Sequence, residues 1–175
     1  MLLFFSCKKI FRKKKITEPI FFYMSQNSST SKFIENILII LSNLPVGFRN
    51  AIIKKRLDEF NGFDQSEKKE IIANILKNYG KIEKPKVLDL FNSWLTSLSE
   101  MDNSSINSIF YSYLLELHLN PQELRDFDSQ FILSLVKILN DLPENKRDKL
   151  WYCFMETILN TPDPKKFVKL IQNVR

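Results

Sequence analysis

Glycine is scarce in this chain, whose 175 residues include only Gly47, Gly62 and Gly80. Glycine allows a backbone to adopt positive φ or to approach a phosphate group closely, so nucleotide-binding enzymes concentrate it in loops. This sequence has no glycine-rich loop. The scarcity therefore argues against the phosphate-cradling and tight-hairpin motifs that many enzymes use.

Cysteine and histidine are equally rare, with Cys7, Cys153 and His118 as the full set. They cannot supply a disulfide framework or an ordinary zinc site, so we predict reduced thiols, a cytoplasmic location, and neither metal nor cofactor. Cys153 lies beside Trp151 and Phe154, which predicts an inert core thiol. General acid–base and nucleophilic catalysis need grouped titratable residues. Because we find no such group, we predict that the protein is not an enzyme and has no small-molecule substrate.

Long hydrophobic runs are also missing. The opening Met1-Leu-Leu-Phe-Phe is too short for a secretory signal or a membrane span. Residues 1–23 have two interpretations: a peripheral anchor whose Lys8 to Lys15 region meets anionic lipid, or a segment outside the native protein, with Met24 as the start. We favour the second. We predict a disordered or non-native segment over 1–30, one domain over 31–175, and no membrane partner unless 1–23 are native.

The net charge of +6 is distributed unevenly. Residues 1–24 hold six basic and one acidic residue, whereas residues 25–175 hold 20 basic and 19 acidic residues and are nearly neutral. Within that body, residues 49–86 carry +4 and residues 87–163 carry −7. Such segregation predicts surfaces of opposite sign, which bears on partners rather than on fold.

Apolar residues recur at helical spacing from residue 31 onward. The clearest stripe follows i, i+3, i+4, i+7, i+8 and i+11 from Ile106 to Leu117. The predicted helix boundaries are marked by prolines and by capping residues. The caps include Asp64 with Glu67, and Asp102. The pattern predicts about eight helices, near 31–43, 45–61, 65–79, 86–100, 103–119, 128–141, 143–160 and 164–174.

A repeated Leu-Pro corner defines the predicted architecture. Ile40-Leu41-Ser42-Asn43-Leu44-Pro45 is matched by Ile138-Leu139-Asn140-Asp141-Leu142-Pro143, and a weaker copy surrounds Leu98. Pairing helices across these corners gives hairpins over 31–61, 86–119 and 128–160. Leu98 and Leu139 lie 41 positions apart, which resembles HEAT repeats in spacing alone. We predict an all-α fold, either a short irregular α-solenoid or a compact helical bundle.

Arg49 and Arg147 each follow the corner proline by four residues. Either they are solvated first-turn side chains, or each braces its corner by reaching carbonyl oxygens at the end of the preceding helix.

A second apolar line on the helical hairpins is the best candidate for a binding site. Tyr111, Leu115 and His118 form a line at i, i+4 and i+7, and Tyr152 with Leu159 repeats part of it. Either neighbouring hairpins cover this line, or it forms an exposed aromatic groove for a partner. We expect the last helix, through Phe167, Leu170 and Ile171, to cover Tyr152 and Leu159. The predicted function is a non-enzymatic intracellular module that binds another protein or itself.

Nucleic-acid binding is the alternative function, using the basic 49–86 region and the C-terminus. The candidate contacts with the phosphate backbone are Lys54, Lys55, Arg56, Lys68 and Lys69. Acidic residues are interleaved with them, so an ordinary solvated helix surface is the favoured interpretation.

Overall fold

The structure is a computed structural model that describes residues 20–119, 129–165 and 167, with side chains described over 30–119, 130–165 and 167. These residues form helices and connecting turns without a β-strand, which confirms the predicted all-α class. Seven helices are present in this part of the chain: α1 (Ile20–Ser42), α2 (Val46–Asn61), α3 (Gln65–Tyr79), α4 (Lys84–Ser99), α5 (Asn103–Leu119), α6 (Ser129–Asn140) and α7 (Glu144–Leu159).

The observed helix ends lie within two residues of the predicted ones from α2 to α7. Helix α1 differs because it begins at Ile20, eleven positions before the predicted start, and so crosses the predicted domain boundary at residue 30. The predicted eighth helix, 164–174, falls mostly outside the described residues. Of its members, residues 164, 165 and 167 are helical.

Side-chain caps fix two of the helix starts. The Asp64 carboxylate accepts a hydrogen bond from the Glu67 backbone nitrogen at 2.9 Å, and Glu67 accepts one from the Asp64 nitrogen at 3.0 Å, which forms the predicted capping box of α3. Asp102 accepts from the Ser105 nitrogen at 2.9 Å and from the hydroxyl groups of Ser104 and Ser105. These bonds to the charged form hold the pKa of Asp102 well below its usual range.

The helices pack in two rows. One row stacks α1, α3, α5 and α7 in that order, and the other stacks α2, α4 and α6. Contacts between the rows join α1 to α4, α2 to α5, and α4 to α7. The predicted corners are present, but the extensive contacts among the described helices join alternate helices rather than the two members of each predicted hairpin. Such stacking is compatible with a short solenoid or a helical bundle.

The core is continuous along both rows. Its fully buried side chains come from six of the helices and include Leu38, Ile53, Ile72, Leu90, Ile106 and Leu150. Aromatic packing links α4 to α5, where the Trp94 ring lies 5.9 Å from Phe110 and 5.8 Å from Tyr113 in edge-to-face geometry. Phe110 in turn lies 5.3 Å from Phe154 on α7. The rows therefore share one core that runs through α4, α5 and α7.

Polar contacts between stacked helices add specificity at the surface. Lys54 Nζ lies 2.9 Å from Glu100 Oε2, and Lys81 Nζ lies 2.8 Å from Glu35 Oε2. Lys149 on α7 donates to the carbonyl oxygens of Ser99 and Met101 at the end of α4. Exposed ion pairs contribute about 0–1 kcal/mol each, so the two ion pairs add little to the stability of the stack.

Candidate interaction surfaces

The structure divides the predicted binding residues between two environments. Tyr111, Leu115 and His118 are half-buried on α5, whereas Tyr152 and Leu159 on α7 are 62% and 69% exposed. The His118 ring lies 6.3 Å from the ring of Phe167, which is itself buried. The first three residues are therefore mostly covered by the chain, and the last two face solvent.

The expected cover over Tyr152 and Leu159 is not provided by Phe167. That residue is buried in a small cluster with Leu114 and Ile158, on the inner side of α7. Leu170 and Ile171, the other two residues expected to provide cover, lie outside the described part of the chain.

An apolar stripe runs along the outer side of α7. Tyr152, Met155 and Leu159 lie at i, i+3 and i+7, so they share one side of the helix, opposite the buried Leu150 and Cys153. On α6, Leu133 is also exposed. We call Leu133, Tyr152, Met155 and Leu159 the C-terminal end surface, because α6 and α7 are the last members of the two rows among the seven described helices.

A second apolar surface lies at the opposite end of the rows. The first corner and its two helices expose Phe33, Ile39, Ile40, Val46 and Phe48. We call these residues the N-terminal end surface. None of these residues was among the predicted binding residues, although the sequence carried a signal. Ile39 and Ile40 are two apolar residues of α1 in addition to Ile34, Leu38 and Leu41, which already form its buried face.

The candidate nucleic-acid residues do not share one exposed surface. Lys54 pairs with Glu100, and Arg56 Nη1 contacts Glu59 Oε2. Lys68 is only 5% exposed, whereas Lys55 and Lys69 are exposed. The five positively charged groups therefore point to different environments and do not form one basic stripe.

Lys68 is the least expected member of that set. Its Nζ lies 3.5 Å from the carbonyl oxygen of Asn61, the last residue of α2, and 3.5 Å from Ser108 Oγ. The same atom lies 5.4 Å from the centre of the Phe60 ring. Burial lowers the pKa of Lys68. The positive charge of Lys68 is therefore stabilised within the protein, by the C-terminus of α2 and the face of the Phe60 ring.

Cys153 and Tyr113 are two further titratable groups of the core. Cys153 is fully buried, and burial, with a smaller effect from Glu156, raises the pKa of its thiol. Burial also raises the pKa of Tyr113, whose hydroxyl has no hydrogen-bond partner in the described structure. The described residues contain no group of three or more His, Cys, Asp or Glu side chains placed to hold a metal ion.

A cleft of about 390 Å³ lies where α3, α4 and α6 meet. Its rim carries Lys77, Lys81 and Lys84 over a floor that includes Val87 and Phe131. Lys81 is paired with Glu35, and Lys84 Nζ lies 6.0 Å from the centre of the Phe131 ring. Two of the three charges thus have partners within the chain, and we assign no ligand to this cleft.

No helix in the described part of the chain is long and apolar enough to cross a membrane. Comparison with known proteins adds no relative: no family model, curated protein or solved structure matches this chain.

Proposed function

We propose that this chain is a non-enzymatic intracellular module that binds a protein partner through the outward faces of its end helices. The observation that carries the proposal is the exposed stripe of Tyr152, Met155 and Leu159 on α7. The terminal repeats of a solenoid need a polar outer face to remain soluble alone. An apolar stripe in that position, with a tyrosine in it, has the composition of a protein interface.

The structure favours a protein partner over nucleic acid. A phosphate backbone is bound by several positive charges that act together on one surface. Of the five candidates, Lys54 and Arg56 are neutralised by carboxylates and Lys68 is buried, which leaves Lys55 on α2 and Lys69 on α3. Nucleic-acid binding by the 49–86 region is therefore the weaker alternative, and the cytoplasmic location stays a prediction from cysteine usage.

Site-specific photo-cross-linking in cells that express the chain tests the proposal. A photoreactive phenylalanine analogue in place of Tyr152 samples the α7 stripe, and the same analogue in place of Lys69 samples an exposed position on α3. We expect protein adducts at position 152 that resist nuclease and disappear when Leu159→Glu is added, with few adducts at position 69. Nuclease-sensitive adducts at position 69 and none at 152 would favour the nucleic-acid alternative.

A further inference from the structure

Asn61 and Gly62 form the only Asn-Gly pair in the sequence, at the point where α2 ends. The backbone nitrogen of a residue that follows asparagine can attack the carbon of the side-chain amide, and a glycine in that position has no Cβ to hinder the approach. Asn-Gly is therefore the pair most susceptible to spontaneous deamidation. The exposed Asn103, which precedes a serine at the start of α5, lacks this advantage.

The surroundings of Asn61 include a buried positive charge. The Asn61 side chain is half-buried, and its Oδ1 atom is enclosed without a hydrogen-bond partner in the described structure. The main-chain carbonyl oxygen of Asn61 lies 3.5 Å from Nζ of the buried Lys68. The other neighbours of that Nζ atom are the Ser108 hydroxyl group and the Phe60 ring, which are also uncharged.

Lys68 therefore lacks a counter-charge. No carboxylate of the described residues forms an ion pair with it. Buried lysine side chains are normally paired with an opposite charge, because burial alone disfavours the ammonium group. A negative charge at residue 61 would supply the missing partner.

We propose that Asn61 deamidates spontaneously in this protein and that the carboxylate formed there pairs with Lys68. The Gly62 nitrogen forms a bond to Cγ of Asn61, the C–N bond of the side-chain amide breaks, and the amide nitrogen leaves as ammonia with the proton that Gly62 loses. One water molecule then adds across a C–N bond of the succinimide ring. The product at position 61 is aspartate or isoaspartate, and each carries one new negative charge. In isoaspartate, the free carboxylate derives from the carbonyl group that Lys68 already contacts.

The fold slows this reaction without removing it. Asn61 is the last residue of α2, and the Gly62 N–H donates to the carbonyl oxygen of Glu59 at 3.1 Å, which keeps the nitrogen away from Cγ. The turn that follows is anchored by the buried Phe63, whose ring lies 6.3 Å from the Phe60 ring in edge-to-face geometry. Helix ends open transiently, so deamidation proceeds from the opened end of α2.

Peptide mapping by mass spectrometry tests the modification site. The folded full chain is incubated at mildly alkaline pH, and aspartate and isoaspartate are measured at each asparagine over time. We expect conversion at residue 61 to exceed conversion at Asn103 by at least about tenfold, because only residue 61 precedes a glycine. Conversion at residue 61 should be faster still in urea, where the helix end is open.

Gly62→Ala is the matched control for the attacking nitrogen. Gly62 has φ of −82°, and a Cβ there would lie 3.5 Å from the Glu59 carbonyl oxygen, an ordinary contact, so the fold accommodates alanine. This variant should slow conversion at residue 61 by at least about tenfold while circular dichroism shows unchanged helical content. Conversion at residue 61 that does not exceed that at Asn103, or that Gly62→Ala leaves unchanged, would overturn the modification site.

Asn61→Asp introduces one of the two products directly and tests the ion pair. We expect it to raise the urea midpoint when Lys68 is present. In a Lys68→Met background it should lower the midpoint, because a carboxylate at the C-terminus of α2 then opposes the helix dipole without a counter-charge. Lys68→Gln serves as the background if Lys68→Met does not fold. Any other pattern of midpoints would overturn the pairing with Lys68.

Discussion

Arg49 Nη2 donates a hydrogen bond to the carbonyl oxygen of Leu44 at 3.0 Å, across the corner that Pro45 creates between α1 and α2. The Arg49 side chain is buried, and its Nη1 lies 3.8 Å from Asp89 Oδ2 on α4. Arg147, at the equivalent place after the second corner, is half-buried and pairs with Glu144 and Asp148 instead. Of the two alternatives open for each arginine, Arg49 makes the bracing contact, whereas Arg147 makes surface ion pairs.

The difference between the two arginines gives a matched pair of substitutions. We expect Arg49→Met to lower the free energy of unfolding by about 1.5–3 kcal/mol, because it removes a charge-assisted hydrogen bond and leaves the partly buried carbonyl oxygen of Leu44 without that donor. Arg147→Met should change it by less than about 0.5 kcal/mol, since exposed ion pairs contribute little. Urea unfolding at neutral pH measures both, and equal effects would contradict the bracing role of Arg49.

The exposure of Tyr152 predicts that it contributes little to folding. Tyr152→Ala should change the free energy of unfolding by less than about 0.5 kcal/mol. Tyr113, buried against Trp94, provides the comparison: Tyr113→Ala should cost about 3–5 kcal/mol through loss of packed aromatic volume. Denaturant unfolding of both variants is the measurement. A cost above about 1 kcal/mol at Tyr152 would mean that the α7 stripe is covered within the chain.

The buried Lys68 predicts a pH dependence of stability. Its pKa is lowered in the folded chain, so the unfolded state binds more protons between that lowered value and the unfolded value of about 10.4. The contribution of Lys68 to stability therefore improves as pH rises through this window. We expect the free energy of unfolding of the wild type, minus that of Lys68→Met, to increase from neutral pH toward pH about 10. Parallel urea titrations of Lys69→Met, which removes an exposed lysine one position along α3, provide the control for the loss of one positive charge.

The Asp102 cap should respond to acid in the opposite direction. Its pKa is lowered in the folded state, so its contribution is complete above the unfolded value of about 3.9 and is lost as pH falls through the folded value. Asp102→Ala should lower the urea midpoint at pH 7, and the difference from wild type should shrink in strong acid. Asp102→Asn, which keeps a capping oxygen, should retain most of the midpoint at pH 7. A pH-independent loss would show that the carboxylate charge contributes nothing.

Much of the fold could be predicted because its determinants are local. The Asp64 and Asp102 caps, the corner prolines and the apolar spacing each act within one or two turns, so the sequence places the ends of α2 to α7 within two residues. Helix packing depends on residues far apart in the chain. Consequently, the contact of alternate helices could not be inferred from corners that join consecutive ones.

The candidate site could be predicted only in part for the same reason. Tyr152 and Leu159 lie on a second apolar line, which the sequence shows, but whether a neighbour covers that line depends on tertiary packing. Lys68 is the opposite case. A lysine in a mixed-charge segment is typical of a solvated surface, and nothing local indicates that Asn61, Phe60 and Ser108 enclose it.

The two-row arrangement has a consequence for the kinetics of folding. Hydrogen bonds between helices that pack together, such as those from Lys54 to Glu100, Asn78 to Ser31 and Lys149 to Ser99, join residues 46 to 50 positions apart. Bringing two such helices together therefore closes a long loop of chain. Two consecutive helices alone bury little against each other, which makes three helices in sequence the smallest unit that can hold itself together. The chain should therefore fold more slowly than bundles of antiparallel helix pairs, whose contacts are closer in sequence.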